Sequence, residues 1–149
     1  MSTHQLAQLN IARLSAPLDS PQLIDFVVNL DRINALADTS PGFVWRLQTE
    51  EGDATGIDHF GADYIANLSV WESIDALHDY VYRSAHVEIL RRKKEWFQKM
   101  PESHMVLWWV PAGHTPSIEE AGERLTLMRE QGPGPQAFTF KKAFPPPGE

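Results

Sequence analysis

The stretch "ANLSVWES", residues 66–73, decides how the rest of the chain is read. Side chains alternate along a strand. Ala66, Leu68 and Val70 therefore share one face, and Ile65, Asn67, Ser69 and Trp71 share the other. The first face is plain aliphatic packing. The second sets an amide, a hydroxyl and an indole in one row, which is either ordinary sheet surface or the wall of a pocket.

Working outward, a helix follows this strand, opened near Ser73 with Leu77, Tyr80, Val81, Ile89, Leu90, Trp96 and Phe97 on its inner face; Ser84–His86 marks a kink or restart. Before it, "EGDATGIDHFGAD" is a glycine-punctuated hairpin connection, and "FVWRLQTE" (43–50) is a strand rich in aromatic and β-branched residues. "SPG" (40–42) ends a helix of about 21–38. That helix is marked by Ser20 as N-cap, Pro21 at the first helical position, and apolar residues at 23, 26, 27, 30, 33 and 37. "HQLAQLNIARL" (4–14) alternates as a strand, with Ala7, Leu9 and Ile11 against Leu6, Gln8, Asn10 and Ala12. "HMVLWWVPAG" (104–113) is apolar on both faces, so both should be covered. The order is βαββαβ, an α+β, ferredoxin-like domain over residues 1–113 with a four-stranded antiparallel sheet. Residues 114–149 form a C-terminal extension: a helix of about 117–130, a "GPGP" break, an edge strand at "FTF" (138–140) and a mobile "FPPPGE" tail.

Composition bounds the function. The chain has 149 residues, enough to bury a core without staples, and no cysteine, which excludes disulfides, thiolate catalysis and cysteine-ligated metals. The net charge of −7 opposes nucleic acid, and the one basic run, "RRKK" (91–94), spreads round a helix rather than forming a stripe. The N-terminus shows no secretory pattern, and no apolar stretch approaches the roughly 18–20 residues that span a bilayer, so a cytoplasmic protein without a membrane partner is expected. The second sheet face is too apolar to be left bare, and a second copy is its expected cover, giving a homodimer.

The order of elements, "NLSVWES" and "YRSAHVEILRRKKEWF" together resemble the dimeric α/β-barrel superfamily. The likeness is closest to a group of small bacterial proteins known only as a domain of unknown function. It runs nearly full length and includes "SPGFVWRLQTEEGDAT" and "VLWWVPAGH". Over roughly residues 6–110 the chain is more remotely similar to the antibiotic-biosynthesis monooxygenases, whose third strand also ends in Trp-Glu-Ser. That resemblance implies oxidation of an aromatic polyketide by oxygen with no cofactor, in a pocket between sheet and helices marked by an Asn four residues before the Trp. Asn67 and Trp71 fit this spacing. The superfamily also holds haem-degrading proteins with an Asn on strand one, where Asn10 stands, and a helical His ligand. There the His follows the Trp more closely than His86 follows Trp71.

Asn67, Trp71 and His86 are thus the expected catalytic residues, with Asn10, Arg46, Tyr82, Trp96 and Trp108 as substrate-binding residues. A buried amide must find hydrogen-bond partners, so Asn67 is either tied to a neighbour or donates to a phenolate or enolate oxygen. Trp71 is either a core plug or a wall for a flat ring. His86 suits proton transfer near neutrality, against the commoner role of a structural or exposed histidine. Arg46 pairs with an acid or holds an anionic substituent. No HxH or HExxH spacing, phosphate loop or GxSxG is present, so neither a metal nor another cofactor is expected. An enzyme acting on an aromatic or polyketide-like molecule leads; a non-catalytic barrel binding a hydrophobic small molecule is the alternative, and haem binding comes third.

Overall fold

The sheet is organised around one long central strand. The structure, a computed structural model, describes residues 3–17, 20–47, 64–84, 86–98 and 104–147; of these, the side chains of Leu30, Asp31, His86, Ile89 and Leu90 lie outside the description. β1 (His4–Arg13) is flanked by β3 (Tyr64–Trp71) and β4 (Met105–Pro111), and β2 (Phe43–Arg46) borders β3. Every pairing is antiparallel, in the order β2-β3-β1-β4. Ala7, Leu9, Ile11, Ala66, Leu68, Val70, Val106, Trp108 and Val110 form one apolar face. Alternation sends Leu6, Gln8, Asn10, Asn67, Ser69, Trp71, Leu107 and Trp109 to the other.

Of that second set, Leu6, Trp71 and Leu107 pack with Ala37 of α1 (Ile24–Asp38) and Leu77 of α2 (Ile74–Arg83). Ser73 caps α2, its Oγ accepting from the N–H of Ala76. Ser20 does not cap as expected: Pro21–Leu23 is a 3-10 turn, and the buried Ser20 Oγ has no hydrogen-bond partner among the described residues. Gly42 ends the α1–β2 turn at φ +82°, where an added Cβ would stand 2.4 Å from the Ala76 Cβ, so only glycine fits. The second helix does stop and restart: α2 ends at Arg83, followed by α3 (His86–Arg91) and α4 (Lys93–Trp96). The 51–63 connection lies outside the described residues.

The extension corrects two expectations. α5 (Ile118–Gln131), capped by Ser117, lays Ala121, Leu125 and Met128 against the first face. Val106, Trp108 and Leu9 are 0% exposed in the single chain, so the premise of the homodimer falls: the chain covers this face itself. The tail is likewise docked as far as Phe144, whose carbonyl accepts from Trp109 Nε1 at 2.9 Å. Phe138 forms a bridge to Leu107 at the expected edge position. No described helix is long and apolar enough to cross a membrane.

Candidate functional site

The helix-covered face has two apolar ends and a polar middle. At one end Leu6, Trp71, Leu77, Ala37, Leu107 and Phe138 pack together. At the other, Leu14, Leu23, Phe26 and Trp96 close over Ile65. Between them stand Gln8, Asn10, Asn67 and Ser69, with Asn10 opposite Asn67 and Gln8 opposite Ser69. Gln8 is 7% and Ser69 5% exposed, while Asn10 and Asn67 are both open to solvent. Two exposed amides therefore stand on a polar floor between two buried hydrophobic clusters.

Hydrogen bonds tie this floor together. Gln8 Nε2 donates to Asn67 Oδ1 at 2.8 Å and to Ser69 Oγ at 2.9 Å, with the Asn67 carbonyl at 3.3 Å. Ser69 Oγ also accepts from Trp71 Nε1 at 2.9 Å. Trp71 is 1% exposed, with Phe43 edge-on at 5.4 Å and Tyr80 stacked at 5.1 Å. The opening row divides: Trp71 and Ser69 are core, whereas Asn67 is exposed.

Tyr80 donates its hydroxyl to the Ile33 carbonyl at 3.2 Å. Burial pushes its phenol well above the ordinary range, the Arg46 charge opposing this and Asp38 adding to it. Arg46, across from Ser69, holds Asp38 at 2.7 Å, which is the ion-pair role weighed for it. With its side chain 13% exposed, it borders the floor without opening onto it.

Other expected site residues lie elsewhere. Trp108 is on the opposite face, its Nε1 donating to Glu120 at 2.9 Å, because odd and even positions of β4 face apart. Tyr82 is 48% exposed on α2 against His78 and Phe140. Trp96 is 0% exposed within the Phe26 cluster, enclosed as core. His86 opens α3, its side chain outside the described set. Sequence reasoning left out Gln8 and Tyr80 as functional residues, although Gln8 was already on the right face by alternation. Its long amide reaching across to Asn67 leaves no local signature. Among the described residues no three His, Asp or Glu side chains converge to hold a metal.

A family model matches residues 5–149. The chain belongs to DUF3291, a domain of unknown function. No curated protein matches this DUF3291 domain. Among solved structures it is similar to PA3566 from Pseudomonas aeruginosa, with a TM-score of 0.51 at 14% identity over 76% of this chain and 98% of that one. SnoaB, a cofactor-independent oxygenase from Streptomyces nogalater, gives 0.49 at 14% identity over 74% and 95%. A protein assigned as an antibiotic biosynthesis monooxygenase from Nitrosomonas europaea gives 0.48 at 9% identity over 78% and 98%. Of these three only PA3566 exceeds one half, and at that identity the likeness is one of fold, not of activity.

Proposed function

We propose that this DUF3291 domain binds a flat aromatic or polyketide-like molecule in a cleft above Asn10 and Asn67 and oxidises it with oxygen, without a bound cofactor. The observation that supports this is the exposed amide pair, backed by buried Gln8 and Ser69, between two buried apolar clusters on one sheet face. Leu and Val at these two positions would close the face as core; open amides there cost packing and offer recognition instead. In this reading His86 takes a proton from an activated ring CH₂, leaving a carbanion whose charge is delocalised onto an aryl oxygen. Asn67, with Asn10, donates to that oxygen. The carbanion adds O₂ and the peroxide takes up a proton. Loss of water then breaks the O–O bond and the second C–H bond, leaving a carbonyl. Trp71 anchors Ser69 and hence the floor, instead of stacking on the ring.

A thermal-shift screen of anthrone, naphthol and flavonoid compounds, with oxygen uptake recorded on each hit, tests the reading. Stabilisation with uptake is expected. Stabilisation without uptake favours a non-catalytic binder, and no stabilisation by any compound withdraws both. The assembly proposed with this reading is a homodimer that leaves α5 in place, because Ile24 (53%), Val27 (42%) and Val28 (71%) on α1 are large exposed hydrophobic residues in need of cover. Light scattering near twice the 16.9 kDa chain mass supports it, and a monomer mass at micromolar concentration withdraws it.

A further inference from the structure

Gln8 touches no open cleft surface of note, yet it decides what the cleft offers. Its Nε2 faces three acceptors: Asn67 Oδ1, Ser69 Oγ and the Asn67 carbonyl. Turning the Gln8 amide over would set its oxygen against that backbone carbonyl, so the hydrogen-bond network fixes Nε2 where it is. Asn67 Oδ1 is thereby consumed. The Asn67 Nδ2 group makes no hydrogen bond among the described residues, and the residue is exposed. An asparagine free to rotate offers either a donor or an acceptor to a ligand; one whose oxygen is held offers only N–H.

We propose that Gln8 is a positioning residue that locks Asn67 as a donor, so that the cleft selects ligands presenting an accepting oxygen, the phenolate or enolate form over the neutral hydroxyl. The inference rests on the cleft reading above and adds the polarity of what the cleft takes. Ser69 completes the lock. Because its Oγ already receives the Trp71 N–H, it accepts from Gln8 with its remaining lone pair and holds the Gln8 amide in plane. Chemically the selection matters: a site that binds the anion better than its conjugate acid lowers the ligand's pKa and favours the proton loss that the proposed oxidation needs.

Naphthol is the probe, because its anion and neutral forms have distinct absorption. The wild-type protein should bind naphtholate about tenfold more tightly than naphthol, read as ionisation of the bound ligand about one pH unit below that of the free ligand. Gln8→Met keeps length and volume but removes the donor, and should bring that shift close to zero while the melting transition stays cooperative. Gln8→Glu carries the test further and decides it if the Met variant fails to fold. A carboxylate there accepts from Asn67 Nδ2, turns Oδ1 toward the cleft, and should reverse the preference to the neutral hydroxyl. A folded Gln8→Met or Gln8→Glu protein that keeps the wild-type shift overturns the positioning role while leaving the cleft reading intact. Wild-type protein that binds neither form overturns the cleft reading, and this inference falls with it.

Discussion

Asn67 and Trp71 sit four residues apart on one strand face yet respond to different demands. Trp71 is enclosed by Phe43, Tyr80 and Leu77 and gives its indole N–H to Ser69. Trp71→Phe should therefore cost about 1–3 kcal/mol of stability, from a small cavity and one lost hydrogen bond to Ser69, measured by urea denaturation. Asn67→Leu removes one of three acceptors from Gln8 at an open position, so it should shift stability by less than about 1 kcal/mol in either direction while weakening aromatic ligands about tenfold or more. A large loss of stability in Asn67→Leu with unchanged ligand affinity would make the residue a structural strut. The sequence made the row legible because strand alternation needs only spacing. It did not separate open from buried positions in that row, because this depends on where α1 and α2 end and on the reach of Gln8 from another strand.

Element by element, punctuation carried the fold. The helix starts near Ser73 and Ser117 and the stop at Ser40–Gly42 were readable because turn chemistry is local, whereas Ser20, expected as a cap, does not act as one. Gly42→Ala combines a forbidden φ with a collision against α2, and should cost on the order of 2 kcal/mol or more by thermal denaturation; a neutral result would mean that the α1–β2 turn is free to move. The α5 helix has its own tether. Glu120 bridges Trp108 Nε1 at 2.9 Å and His114 Nε2 at 2.7 Å. Burial raises its carboxyl pKa, but the hydrogen bonds from His114 and Trp108 outweigh this and hold it below the ordinary 4.5. A depressed folded-state pKa means that the stabilisation is present above the ordinary carboxylate value and lost as pH falls through the lowered one. Glu120→Gln should therefore reduce stability near neutrality and flatten the acid limb below about pH 4.5, followed by circular dichroism. An unchanged acid limb would show that other carboxylates set it.

For the whole molecule, the sheet face away from α1 and α2 needs cover, and α5 supplies it where a second copy was expected. Hydrophobic pattern states that a face must be buried and says nothing of whether a second chain or a later helix buries it. Leu125, Met128 and Ala121 lie at helical spacing, which identified α5 as amphipathic without saying which surface it meets. Truncation after Gly113 should leave Val106, Trp108 and Val110 bare; at about 1.5–3 kcal/mol for each large side chain uncovered, a few such residues approach the whole stability of a domain. Aggregated or unfolded chain is expected. A soluble, folded 1–113 fragment would show that α5 is dispensable to the core.

If the Asn10–Asn67 pair takes a flat ligand through an accepting oxygen, as proposed, the side-chain amide resonances of the 149-residue chain report on it directly. Titration with naphthol above its ionisation point should move the Asn67 and Asn10 NH₂ signals along saturable curves sharing one dissociation constant, with the Gln8 signal shifting less. A concavity of about 530 Å³ elsewhere, bordered by Trp109, Glu123, Arg124, Leu127, Pro135, Gln136 and Pro147, serves as an internal control. Saturable shifts at Trp109 and Gln136 with none at Asn67 would contradict the account, and so would no saturable shift anywhere.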